Sequence, residues 1–190
     1  MSVPQWRNVN ISTSFKITLQ GDYSVDFRVF NDGFAYRFIT EKEGEIAIEY
    51  ENMDISFAGD PMCYFPEEKS LLSHYERYYL HKKIKNMNPG TFASLPMLVQ
   101  TAQGINVGIT ESDLYDYPGL FVRGSDDYSA TLSGQFAPCA LEEEQTRDRT
   151  LRVTKTADYI ADTYGSRSFP WRVLMIAEND VKLIENDLVY

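Results

Sequence analysis

Apolar and polar residues alternate with a period of two along much of the chain, the spacing that places one set of side chains on one side of an extended strand. In Phe15-Lys16-Ile17-Thr18-Leu19 the apolar positions are 15, 17 and 19, and in Tyr23-Ser24-Val25-Asp26-Phe27-Arg28-Val29 they are 23, 25, 27 and 29. Gln20-Gly21-Asp22 between them predicts a hairpin. Asn31-Asp32-Gly33 then supplies residues tolerant of positive φ before a third run, Phe34 to Ile39, giving an antiparallel meander. Further strands are predicted at Glu45–Tyr50, Met97–Gln100, Ile105–Ile109, Leu120–Arg123, Tyr128–Leu132 and Trp171–Ile176. Many short strands separated by turn signals indicate an all-β sandwich or barrel.

Three stretches are harder to place. Between Glu67 and Lys85, Leu71, Leu72, Tyr75, Tyr78 and Tyr79 have helix-like spacing behind Pro66, whereas the crowded aromatics of His74-Tyr75-Glu76-Arg77-Tyr78 suit a strand. Glu142 to Arg152 is charged and nearly devoid of apolar residues, the composition of an exposed loop or a solvated strand edge. Lys182 to Tyr190 looks like a strand-ending sequence that stops on an apolar run, which hints at truncation.

Composition narrows the function classes. With 190 residues, 43% hydrophobic and 14% aromatic, the chain suffices for one well-buried core, so a single domain over 1–190 is expected. The 18 Lys and Arg against 28 Asp and Glu give a net charge of -10, and the one basic cluster is Lys82, Lys83 and Lys85. A duplex-binding surface needs a basic footprint, so nucleic acid is not an expected partner. No apolar stretch is long enough to span a bilayer as a helix, and Met1 to Asn10 lacks the basic start and apolar run of a signal peptide.

Catalytic motifs are scarce: no Gly-rich phosphate loop, nucleophile elbow, zinc-binding HExxH or EF-hand loop occurs. Cys63 and Cys139 read as small buried hydrophobes, a disulfide between them remaining open. His74 and His81 have no nearby Cys or activated Ser and read as structural. Asn10-Ile11-Ser12 is a glycosylation sequon of a length that chance produces. The acids of Ile109-Thr110-Glu111-Ser112-Asp113-Leu114-Tyr115-Asp116-Tyr117-Pro118-Gly119 are more informative, standing after an apolar strand and before a Pro-Gly turn. They could lend oxygen to a hard cation such as calcium, form a solvated acidic turn, or provide a glycosidase acid and base. Trp171 is a core aromatic or a sugar-stacking platform, and its accessibility separates the two.

Several phrases together resemble one enzyme family. Phe27-Arg28-Val29-Phe30-Asn31-Asp32-Gly33-Phe34-Ala35-Tyr36-Arg37-Phe38 is similar to the RVYNDGVAFRY segment of glycoside hydrolase family 97. Tyr75-Glu76 with Tyr78-Tyr79, Leu95-Pro96-Met97, Ile109-Thr110-Glu111-Ser112-Asp113-Leu114, Tyr117-Pro118-Gly119 and Phe169-Pro170-Trp171-Arg172-Val173 follow in that family's order. The resemblance runs from about Ser14 to Tyr190 and favours a strand over a helix between Glu67 and Lys85.

The resemblance implies an amino-terminal β-super-sandwich of the galactose-mutarotase-like kind, incomplete at its N-terminus. It implies that the (β/α)8 barrel with the catalytic carboxylates is absent, so the chain alone hydrolyses nothing. The parent would be a calcium-dependent, exo-acting α-glucosidase or α-galactosidase, periplasmic or extracellular, acting on oligosaccharides or α-glucans. Glu111 corresponds to the glutamate of the family's ITEADL phrase, with Ser112 in place of alanine, and is the implied calcium ligand. One ligand cannot hold the ion, so the chain alone is expected to keep no calcium. Unpaired sheet edges would favour a homo-oligomer. The alternatives are a free-standing carbohydrate-binding sandwich using Tyr115, Tyr117 and Trp171, or an inert fragment.

Overall fold

The structure, a computed structural model, describes residues 12–87, 90–126 and 128–189. In chain order the strands are β1 Thr13–Leu19, β2 Tyr23–Phe30, β3 Gly33–Thr40, β4 Glu45–Ile48, β5 Asp54–Ser56, β6 Met62–Glu68, β7 Tyr79–Lys83, β8 Phe92–Ala93 and β9 Met97–Gln100. There follow β10 Asn106–Ser112, β11 Phe121–Gly124, β12 Thr131–Gln135, β13 Ala140–Arg147, β14 Thr150–Thr156, β15 Ala161–Tyr164, β16 Arg167–Ser168 and β17 Trp171–Ala177, then a short helix α1, Asp180–Ile184.

The predicted meander is present. β1 and β2 pair antiparallel from Thr13 opposite Val29 to Leu19 opposite Tyr23, across a turn in which Gly21 and Asp22 take positive φ. β2 and β3 join through Asn31-Asp32, and a Cβ on Gly33 would run into the carbonyl oxygen of Leu174, so this position admits only glycine. Period-two alternation stacks Phe15 on Phe27 at 4.9 Å between ring centroids and sets Phe27 against Tyr36 at 5.8 Å.

One hydrogen-bonded path joins most strands in the order β1-β2-β3-β17-β10-β9-β6-β8-β11-β12-β5. The path bends at β6: Met62 to Tyr64 pair with β9, whereas Glu67 and Glu68 pair with β8. A strand that changes partners in this way carries the sheet from one layer into the next. Accordingly, Ile109 and Leu174 from one half and Val122 and Leu132 from the other share one core with Phe65 and Val99. The result is an all-β, sandwich-like architecture.

Some expectations are corrected. Only Tyr79 to Lys83 of the ambiguous 67–85 segment is a separate strand, and Pro66 lies inside β6 rather than at a helix start, where it pairs with Tyr79. The strand expected at Tyr128 begins at Thr131, after Ala130 with φ of 57° breaks the extended backbone. The segment after Asn179 is helical, not strand-ending: the Asn179 side chain accepts from the Lys182 amide at 3.0 Å, capping α1. The charged stretch forms a two-stranded ribbon, β13 with β14, exposed at every position except the partly buried Val153. Cys63 is buried and Cys139 partly so, and both thiols are free. Trp6, Tyr190 and all of the sequon except Ser12 lie outside the described residues.

Candidate functional site

Glu111, the one carboxylate singled out from the sequence, lies near the end of β10, directly opposite Arg172 of β17. Arg172 is 1% exposed and binds three carboxylate oxygens. Its Nε and Nη2 donate to the two oxygens of Glu51 at 2.7 Å each, and its Nη1 donates to Glu111 Oε2 at 2.7 Å. Glu111 also accepts the Leu120 amide, at 3.2 Å to Oε1 and 3.1 Å to Oε2. The arginine therefore ties together β17, β10, the turn before β11 and the segment after β4. Planar guanidinium geometry suits this bridging role, and lysine could not reproduce it.

The electrostatics follow from counting charges. One guanidinium faces two carboxylates, leaving a net negative charge in a site closed to most water. Burial acts on Glu111 first and pushes its carboxyl above the ordinary range, with Arg172 and the Leu120 amide pulling the other way. Burial opposes charge on Arg172 too, but Glu51 and Glu111 outweigh it and hold the guanidinium protonated. Two phenols frame the site. Burial and then Glu51 push Tyr36 up to about 12, and the same two causes raise Tyr117. Tyr117 packs edge-on against Phe136 and Phe169.

The other acids of the turn do not join this site. Asp113 and Asp116 take φ of 61° and 48°, a region that aspartate tolerates, and Asp113 points to Arg37 at 3.5 Å. Trp171 is 9% exposed beneath the guanidinium carbons of Arg28 at 4.6 Å and Arg37 at 4.3 Å from its ring centroid, so it is a core aromatic rather than an open platform. Tyr115 is exposed and Tyr117 is not. His81 stacks on Tyr64 at 3.9 Å. The three lysines meet acids, Lys83 and Lys85 at Asp60 and Lys82 at Glu67.

Sequence reasoning missed Glu51 and the hub role of Arg172. Glu51 falls in an irregular segment, with no spacing that links it to a residue 121 positions away.

A calcium ion takes six to eight oxygens. Glu111 has the right donor chemistry and one Oε1 lone pair beyond those used by Leu120, but Arg172 already occupies its other oxygen. Among the described residues no group of three or more His, Cys, Asp or Glu is disposed to hold a metal. Glu111 fits calcium as a single ligand and no more.

Residues 5–190 match the model of the glycosyl-hydrolase 97 N-terminal family. The chain is 32% identical over 180 residues to a retaining alpha-galactosidase of Bacteroides thetaiotaomicron, covering 89% of this chain and 27% of that protein. A glycoside hydrolase family 97 enzyme from Pseudoalteromonas sp. strain K8, solved with acarbose, superposes with a TM-score of 0.69 at 16% identity, covering 94% of this chain and 28% of that one. A beta-arabinopyranosidase superposes at 0.65, again at 16% identity, covering 89% and 30%. The chain thus spans under a third of the length of these relatives. With the family match extending from residue 5 to residue 190 over an all-β sandwich-like fold, the chain belongs to the glycosyl-hydrolase 97 N-terminal family.

Proposed function

We propose that residues 1–190 form the non-catalytic N-terminal domain of an α-glycosidase, closing one side of a sugar pocket built by a barrel domain and lending Glu111 to its calcium. The observation that carries this reading is the fixed Glu111 carboxylate. Arg172 and the Leu120 amide hold it at the end of β10 with one lone pair of Oε1 unused, the state of a preoriented single ligand. The ion, when bound, would act as an electrophile near the glycosidic oxygen, and its remaining ligands would come from the barrel. In this chain Arg172 and Glu51 orient Glu111, and Tyr36 and Tyr117 wall the site from water.

The proposed substrate class, α-linked glycosides, follows the relatives' names: one is a retaining alpha-galactosidase, and family 97 enzymes from Pseudoalteromonas were solved in complex with acarbose and with panose. Export of the parent beyond the cytoplasm is proposed on the family likeness, and association through the β1 edge on its pairing with β2 alone among the described residues.

The test is hydrolysis of aryl α-glucosides and α-galactosides with calcium, by this chain and by a version extended through the downstream reading frame. Activity confined to the extended protein, with its calcium requirement weakened by Glu111→Gln, is the expected result. Hydrolysis by the 190-residue chain would overturn the assignment. An extended enzyme whose calcium affinity ignores Glu111→Gln would overturn the ligand role.

A further inference from the structure

A cleft of about 590 Å³ opens between the β1–β2 hairpin, the far end of β3 and the segment that follows β4. Its volume lies within the range of small-ligand sites, about 300–1,000 Å³. Aromatic residues make much of its wall: Tyr23, Phe38 and Phe169, with Tyr50 at the rim. Tyr50 is 69% exposed, and among the described residues its side chain has no hydrogen-bond or ring partner. Leaving a large aromatic side chain in water beside other aromatic walls forgoes apolar burial that a ligand could restore.

The polar lining defines what kind of ligand. Lys42 extends over the Tyr23 ring, its ammonium 4.8 Å from the centroid. Asn52 and Gln20 add amide donors and acceptors, and Glu49 a carboxylate. Glu51 reaches the cleft too, but Arg172 engages both of its oxygens at 2.7 Å, so it offers no open ion-pairing group. Lys42 and Glu49 leave the cleft balanced in charge, so an ionic ligand has no surplus opposite charge to meet. A hydrocarbon ligand would strand these polar groups without partners. A ring with one apolar C–H face and equatorial hydroxyls at its edge satisfies both halves of the lining.

We propose that this cleft binds neutral pyranose sugars, one or two rings long, with Tyr50 closing over the ring face. The proposal goes beyond the domain's role in the parent enzyme, since it needs neither calcium nor a barrel. Titration of the 190-residue chain with maltose and melibiose, followed by calorimetry and by amide shifts in NMR, tests it. Saturable binding near about 1 mM is expected, with chemical-shift changes centred on residues 47–52. Tyr50→Ala should weaken it at least tenfold, Tyr50→Phe should retain most of it, and Tyr78→Ala, at a remote residue 95% exposed, should leave it unchanged. No saturation at tens of millimolar would overturn the proposal. So would equal affinity for glucuronate, or binding indifferent to Tyr50→Ala. None of these results bears on Glu111 or on hydrolysis by the extended enzyme.

Discussion

Two regions use the same charged side chains to opposite ends. At the Arg172 hub, one guanidinium 1% exposed meets Glu51 and Glu111, whose side chains are 5% and 13% exposed. On the β13–β14 ribbon, Arg152 meets Glu144 at 2.7 Å and Lys155 meets Glu142 at 3.1 Å with every partner more than half exposed. The distances are alike and the energetics are not. In water, solvent replaces a lost partner at little cost, whereas in a closed site an unpartnered charge keeps its full desolvation penalty. The hub fixes where four parts of the chain sit. The ribbon's charges discourage further strands from adding along its edges.

The largest effect should come from removing the hub. Arg172→Met leaves two carboxylates facing each other in a buried site and should lower stability by about 3–5 kcal/mol, read as a drop in urea midpoint. Arg172→Lys should recover only part of this, because one ammonium cannot bind Glu51 in a bidentate way while reaching Glu111. The triple variant Arg172→Met, Glu51→Met, Glu111→Leu should recover most of it, since no charge remains to be desolvated. A triple variant as unstable as Arg172→Met alone would show that shape, rather than charge, holds this region.

A smaller pair of effects should differ in sign with pH. Burial acts most strongly on Glu68 and favours its neutral form, but the hydroxyls of Ser73 and Ser94 and the Arg77 guanidinium outweigh it and hold its carboxyl below the ordinary value of 4.5. Its folded pKa is depressed, so its contribution is present above that value and is lost as pH falls through the folded pKa. Glu111 is raised above 4.5, so the fold favours its protonated form. Its favourable contribution is fully present below the unfolded value and is lost as pH rises through the folded one. Glu68→Gln should therefore cost about 2 kcal/mol near neutral pH, with the gap to wild type closing in acid. For Glu111→Gln the wild type should instead gain on the variant as pH falls through the folded pKa toward 4.5, with no further gain below it. Matching pH slopes for the two variants would contradict the charge count at the hub.

These contrasts mark what could be read from sequence. Short apolar strands bounded by turn residues, such as β9 at Met97–Gln100 and the start of β17 at Trp171, are where they were expected. There a local pattern and a local turn decide the outcome. β6 was missed because Met62-Cys63-Tyr64-Phe65 is apolar at every position and a proline follows, so its sequence shows no alternation. Glu111 was visible as an acid at a strand end. Its partner Glu51 was not, because an ion pair between residues 61 and 121 positions from one arginine depends on sheet order, which no window along the chain contains. The ribbon was anticipated as solvated and charged, while its pairing, with register shifts near Glu142 and Arg147, was not.

The smallest effect is expected on that ribbon, and it sharpens the opening contrast because the geometry is so similar. Glu144 and Arg152 are direct cross-strand neighbours, 57% and 65% exposed, at the same 2.7 Å as the hub contacts. A double-mutant cycle of Glu144→Ala and Arg152→Ala should return a coupling below about 1 kcal/mol, falling further in high salt. The equivalent cycle of Glu111→Gln with Arg172→Met should return several times more and resist salt, since ions do not enter a site of this burial. If the two cycles gave equal couplings with equal salt dependence, burial would not be what separates the regions, and the hub's fixed Glu111 would lose its physical basis.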